Sequence, residues 1–224
     1  MTETAATVSG RPVVTAFDWV PEFARGLVRD LRVRWALEEI GRSYDTELLN
    51  ARSPRPEEYL VRQPFDQVPA FRDGDLDIFE TGAILLYLGE QDERLLPGGG
   101  QARWDAIAWL FSALNSVEPV TQRIVHYDVF HKDKPWAPDA REASLGLCKK
   151  KLERVNDALA GKDWLAGSFS IADIAMITVL NILRHTDLVA EYPALAAYKA
   201  RGEARPAYKR ALDAQHADFT NELA

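Results

Sequence analysis

Residues 66–71 read DQVPAF, and Pro69 stands where a short apolar strand is about to begin. Proline has no backbone N–H, so a paired strand tolerates it only at its first residue or along an edge. A cis bond before Pro69 explains the placement. It turns the chain just ahead of the strand and leaves the Val68 N–H and C=O free to pair with an extended peptide, as in strand addition. Shortly afterwards, ETGAILLYL (80–88) opens an apolar-faced helix. The free N–H groups and dipole at such a helix start favour an anionic group. Together the two stretches describe a seat for a peptide-like ligand: its backbone on Val68, its carboxylate at Thr81, its ammonium facing Glu80.

Outward from this seat the first ninety or so residues alternate between strand and helix patterns. PVVTAF (12–17) is β-branched and aromatic, hence a strand. In LRVRWALEEIG (31–41), Val33, Ala36, Leu37 and Ile40 fall on one helical face, and Gly41 is the C-terminal stop. SYDTELL (43–49) is a second strand, and SPRPEEYLVRQ (53–63) a short helix led by Pro56. VPAF and LDIF flank RDGD, whose Asp73-Gly74 is a hairpin signal. The order βαβαββα is an α/β domain whose first two strands are joined by a crossover helix.

DERLLPGGGQ (92–101) marks the boundary, with Pro97 and three glycines making a short flexible connector. The expected organisation is an α/β domain over 1–91, a linker over 92–101 and an all-α domain over 102–224, since strand patterns vanish beyond the glycines. In FSIADIAM (169–176) Ser170 is placed to cap a helix and Asp173 to reach back to the cap. Phe169 and Ile174 stand as a hydrophobic staple, so this motif is a folding device.

Composition sets the bounds. The 224 residues carry a net charge of -7, which argues against a nucleic-acid or anionic-membrane binder. The single cysteine, Cys148, excludes an intrachain disulfide and suits a reducing, cytoplasmic setting. The first residues, MTETAATVSGRP, show no secretory apolar core, and no apolar run reaches the ~18 residues of a membrane span. His126 and His131, five apart, have the wrong spacing for metal ligands on one α-helical face, and HExxH and CxxC are missing, so no metal is expected.

With RVRWALEEIG, QVPAF, ETGAILLYL, the proline-glycine linker and FSIADI in order along almost the whole chain, the sequence resembles the cytosolic glutathione transferase superfamily. The resemblance implies a thioredoxin-like N-terminal domain, an all-helical C-terminal domain and a homodimer. It implies glutathione as cosubstrate, with Gln67 and the Val68 backbone holding its cysteinyl-glycine part. Pro69 would be the cis-proline, and Glu80 and Thr81 would bind the γ-glutamyl end. Threonine replaces the serine usual at position 81 and keeps the hydroxyl.

The departure from the family lies before the first helix. Family members place a Tyr, Ser or Cys there, near the glutathione sulfur, where it favours the reactive thiolate. Here DWVPEFARGLVRDLRVRW (18–35) is longer and contains none of them. A zeta-type isomerase motif is also missing, because Leu27, Val28, Arg29 and Asp30 stand in its place. The extra length predicts an added turn starting at Pro21. Arg29, Arg25 and Trp19 are the candidates for stabilising a thiolate, by charge or by an indole N–H. Against this, Arg25, Arg29, Arg32 and Arg34 also read as a solvated helix face. Cys148 reads as a buried core thiol. Phe111, Asn115 and Tyr127 are candidates for an apolar pocket for a small hydrophobic electrophile or peroxide, against their plainer reading as helix packing. The expected activity is conjugation of glutathione to an electrophile, or glutathione-dependent reduction of a peroxide or disulfide. The alternative is a non-catalytic binding or regulatory protein on the same fold.

Overall fold

A computed structural model describes residues 10–220. Strand β1 (Val13–Phe17) leads through a loop into helix α1 (Asp30–Ile40), which Gly41 ends in a left-handed conformation, φ 71. Strand β2 (Asp45–Leu49), short helix α2 (Glu57–Arg62), the hairpin β3 (Ala70–Asp73) and β4 (Leu76–Phe79), and helix α3 (Thr81–Gly89) follow. The sheet order is β2-β1-β3-β4. β1 pairs parallel with β2, as the crossover helix requires, and β3 pairs antiparallel with both β1 and β4. Val14 and Phe71 pair side by side and enter the main core with α1 and α3. Ala70 belongs to a smaller cluster on α2, around Tyr59 and Val68. This is the thioredoxin-like arrangement that the resemblance implied, followed by a helical domain.

The helical domain begins with α4 (Gly100–Ser112), which runs through a π-helical turn (Ala113–Val117) into α5 (Glu118–Val125). A second π-helical turn (His126–Phe130) precedes α6 (Ala137–Ala158), α7 (Ile171–Asn181), α8 (Pro193–Glu203) and α9 (Pro206–Ala217). Every residue of α7 is buried. Ser170 and Asp173 form the expected capping box: the Ser170 N–H donates to the Asp173 carboxylate at 2.8 Å, and the Ala172 N–H donates to Ser170 Oγ at 3.3 Å. Asp173 also accepts from the Leu165 N–H and from the Tyr198 hydroxyl, at 3.1 and 2.8 Å. Trp35 of α1 is fully buried, edge-on to Tyr208 of α9 and tilted against Phe169. The two domains therefore share one core.

Three expectations change. Arg32 and Arg34 are not on a solvated face: their side chains are 3% and 1% exposed. Each is neutralised by carboxylates, Arg32 by Glu118 and Arg34 by Asp30 and Asp218, which is what permits a guanidinium in a core. The 92–101 connector is pinned at its start, because its Leu95 and Leu96 are buried and the Leu95 carbonyl accepts from the Ile171 N–H at 2.9 Å. His126 and His131 do meet, with ring centroids 4.3 Å apart. The turn between them is π-helical, and its i→i+5 period brings residues five apart onto one face. Among the described residues no group of three or more metal-ligating side chains comes together, and no helix is long and apolar enough to cross a membrane.

Candidate functional site

A cleft of about 480 Å³ opens between the two domains. One wall is the 67–69 segment and the start of α3; the other is α4, the first π-helical turn and α5, with Arg29 and Arg32 of the α1 region between them. The Val68–Pro69 bond is cis, as expected. The segment is fixed from behind by Tyr59, whose buried hydroxyl donates to the Gln67 carbonyl at 2.6 Å and lies 3.0 Å from Thr15 Oγ1. Thr15 Oγ1 in turn accepts from the Ala70 N–H at 2.6 Å. Val68 itself makes no backbone hydrogen bond among the described residues. Its polar groups remain available to a ligand.

Glu80 caps α3 with φ 70 and ψ 117, a conformation that costs a non-glycine residue ~1–3 kcal/mol. Thr81, Gly82 and Ala83 follow it along the cleft wall, carrying the N–H groups that have no partner within the helix. Gly82 packs closely across the domain boundary: a Cβ there would lie 2.7 Å from Leu114 Cδ1, so the leucine methyl would have to move. The seat read from DQVPAF and ETGAILLYL is thus one continuous surface, with Gln67, Val68, Pro69, Glu80 and Thr81 all lining it.

Behind that surface lies a charge network. Glu118, at the start of α5, accepts from Arg29 Nε at 3.1 Å and from Arg32 Nη2 at 3.0 Å on one oxygen, and from Arg32 Nη1 at 3.2 Å on the other. Arg32 also donates to the Thr81 hydroxyl oxygen at 3.2 Å and to Thr178 Oγ1 at 2.9 Å. Arg29 reaches Gln67 Oε1 at 3.3 Å. Burial would raise the Glu118 carboxyl, but the Arg32 and Arg29 guanidiniums outweigh it and hold it below the ordinary carboxylate value. Burial lowers Arg32, and Glu118 opposes that.

A second chamber of about 340 Å³ adjoins the first and shares Arg29, Arg32, Gln67, Val68, Glu118 and Gln122 with it. Phe17, Leu27, Val28 and Ile182 give it an apolar lining. Leu27 and Val28 belong to the lengthened segment before α1, where a 3₁₀ turn (Glu22–Ala24) follows Pro21 at the predicted place. The C-terminal helix braces that segment. Gln215, 1% exposed, accepts from the Gly26 N–H at 3.1 Å and donates to the Val28 carbonyl at 3.2 Å and the Asp30 carboxylate at 2.7 Å.

Residues 13–90 match the family model described as Glutathione S-transferase, N-terminal domain, and residues 117–206 match Glutathione S-transferase, C-terminal domain. The chain belongs to the glutathione S-transferase family. Glutathione S-transferase 4 of Zea mays is 31% identical over 211 residues, which cover 88% of this chain and 90% of the relative. Disulfide-bond oxidoreductase YfcG of Escherichia coli (strain K12) is 31% identical over 167 residues, 70% of this chain and 76% of the relative. A solved glutathione transferase from Burkholderia graminis, with two glutathione molecules bound per subunit, matches with a TM-score of 0.78 at 26% identity. That match covers 91% of this chain and 88% of the solved one.

The other sequence candidates are distributed as follows. Arg29 lines both chambers. Arg25 and Trp19 line neither: the Arg25 guanidinium lies 5.8 Å from the Phe219 ring, and Trp19 stacks under Arg52 at 4.1 Å. Phe111 and Asn115 line the first chamber. Tyr127 is edge-on to Trp136 and lines neither chamber. Cys148 is fully buried in α6, and burial pushes its thiol up to about 11. Sequence reasoning missed Glu118, Gln122 and Gln63 on the cleft wall and took Arg32 for a solvated residue. Glu118 stands beside Pro119 at a helix start, where its sequence signal is that of an acidic first-turn residue. The one available hint was Arg32 itself, which stands between Leu31 and Val33.

Proposed function

We propose that this chain binds glutathione in the interdomain cleft and directs its thiolate at a small electrophile in the adjoining chamber. The observation that carries the reading is the continuity of one surface: the Val68 backbone beside a cis proline, the free N–H groups at the start of α3, and the Arg29 cation at the junction of the two chambers. Glutathione, a tripeptide with an anionic and a cationic group at its γ-glutamyl end, fits this order. Its α-carboxylate meets Thr81 and the α3 N-terminus, backed by Arg32, and its ammonium meets Glu80. Its cysteinyl backbone pairs with Val68, and Gln67 assists. Arg29 favours the thiolate by charge, in place of the hydroxyl that the segment lacks. In the reaction the sulfur lone pair forms a bond to the electrophilic atom and the leaving group departs with its electron pair.

Reduction of a disulfide is a second reading, favoured by the similarity to the E. coli disulfide-bond oxidoreductase. There the glutathione sulfur bonds to one disulfide sulfur and the other leaves as thiolate. Cys148 is buried away from both chambers, so a second glutathione, and not a protein thiol, would complete the exchange. The chain also acts as a homodimer in this reading: exposed Val61, Phe65 and Phe79 on the N-terminal domain and Trp104 and Phe111 on α4 offer apolar surface for a second copy.

The test is a thiolate-absorbance titration of the glutathione complex, followed by turnover with a chloronitroaromatic and with a mixed disulfide. The reading expects the bound thiol to ionise below its solution pKa and one of the two substrates to turn over. A thiol that binds but ionises as in solution, with no turnover, would support the regulatory alternative.

A further inference from the structure

The stretch before α1 carries no hydroxyl or thiol side chain, and its Trp19 indole lines neither chamber, so an uncharged side-chain donor to the glutathione sulfur has to come from elsewhere in the fold. The sulfur belongs at the junction of the two chambers, because the cysteinyl unit sits on Val68 in one and the second substrate arrives from the other. Six residues line both chambers: Arg29, Arg32, Gln67, Val68, Glu118 and Gln122. Val68 is apolar. Arg29, Arg32 and Glu118 bond one another; Gln67 is exposed, is held through Oε1 by Arg29, and is already assigned to the ligand's cysteinyl-glycine backbone. Gln122, on α5 one helical turn beyond Glu118, is different: its side-chain amide makes no hydrogen bond among the described residues. It is half-buried, and its amide atoms are not sealed from solvent. A carboxamide at this position has two N–H donors and nothing in the protein to take them.

We propose that Gln122 is a catalytic residue, donating a hydrogen bond from its side-chain amide to the glutathione thiolate. The helical domain thereby supplies the donor that family members carry in the N-terminal domain. The inference rests on glutathione occupying the cleft as described above. A donor to the ionised sulfur stabilises thiolate over thiol, so it lowers the thiol pKa while adding little to binding of the protonated form. Glu118 cannot serve, being an acceptor already committed to two arginines. Arg29 supplies charge, and Gln122 supplies a directed donor.

The test compares wild type with Gln122→Leu, which keeps the bulk and loses the amide, and Gln122→Asn, which keeps the amide on a shorter stem. Bound glutathione is titrated by thiolate absorbance, and its Kd is measured by calorimetry well below the thiol pKa. The expected result for Gln122→Leu is a thiol pKa raised by about one unit, a roughly tenfold smaller thiolate fraction on the acid side. Turnover falls by the same factor there and recovers at alkaline pH, while the acid-side Kd stays within about twofold of wild type. Gln122→Asn falls between the two. An unchanged thiolate titration in both variants overturns the proposal, and so does a large loss of acid-side affinity, which would assign Gln122 to the ligand backbone. A wild-type protein that binds no glutathione fails the earlier reading instead, and that outcome is seen before any variant is made.

Discussion

Replacing Glu118 with alanine removes the one carboxylate that Arg29 and Arg32 share. Arg32 is the sensitive partner, with a side chain 3% exposed; Arg29 is 36% exposed and recovers hydration when the carboxylate goes. After the substitution Arg32 keeps as hydrogen-bond partners only the neutral Thr178 and Thr81 oxygens, with the Glu80 charge acting from farther off. Truncating one partner of a buried pair and stranding the other typically costs ~3–5 kcal/mol. Residual hydrogen bonds and the open cleft place the expected loss at the low end, ~3 kcal/mol. For a chain of this length that is a fall in Tm of ~6–12 °C. Glu118→Gln keeps the shape and one acceptor oxygen and should lose roughly half as much. The pH dependence has a definite sign. Because the Glu118 pKa is depressed in the folded protein, its stabilisation is present above the ordinary carboxylate range and is lost as pH falls through the depressed value. Thermal unfolding scans from neutral to acid pH should show this acid limb in wild type and lack its Glu118 share in the alanine variant. A Tm for Glu118→Ala within ~2 °C of wild type at neutral pH would refute the claim that this carboxylate is what neutralises the buried Arg32.

Thr81→Ala should weaken glutathione binding by ~1.5–3 kcal/mol, read by calorimetry, because a hydrogen bond to a charged ligand group is lost; an unchanged Kd would remove Thr81 from the site. Arg29→Ala should raise the bound thiol's pKa by about one unit with a smaller change in Kd, whereas Arg25→Ala and Trp19→Phe, which alter residues outside both chambers, should leave the titration as in wild type. Asp173 is raised to about 6 because burial outweighs its hydrogen bonds, so the folded state holds its proton between the unfolded value and that pH. Its contribution is therefore fully present at acid pH and declines by up to ~3 kcal/mol as pH rises through 6. Asp173→Asn should flatten that decline in urea unfolding experiments; a decline that persists would locate it in another group.

The parts of the fold legible in the sequence are those whose physics is local. A proline at a strand start, a glycine after an apolar helical face and a Ser170/Asp173 pair each state their geometry within a few residues, and the structure follows all of them. The cleft wall was legible for the same reason, since QVPAF and ETG each mark a backbone conformation. What stayed hidden depends on partners far along the chain. Arg32 and Glu118 lie 86 positions apart, and no spacing rule links them, so a basic helix face looked solvated. Trp19 and Arg25 were candidates by residue type alone; the turn through Gly26, φ 76, and its brace from Gln215 carry that segment on a path only the tertiary fold defines. The His126–His131 contact was excluded by α-helical spacing and appears because the helix locally takes a five-residue period.

The most direct test of the central claim is a crystal structure of the protein grown with glutathione. The account predicts one glutathione in the interdomain cleft, its γ-glutamyl carboxylate on Thr81 and the α3 N-terminus, its cysteinyl backbone paired with Val68, and its sulfur at the junction with the second chamber beside Arg29 and Gln122. An empty cleft at saturating glutathione, or a tripeptide lying with its γ-glutamyl end away from Thr81, would contradict it.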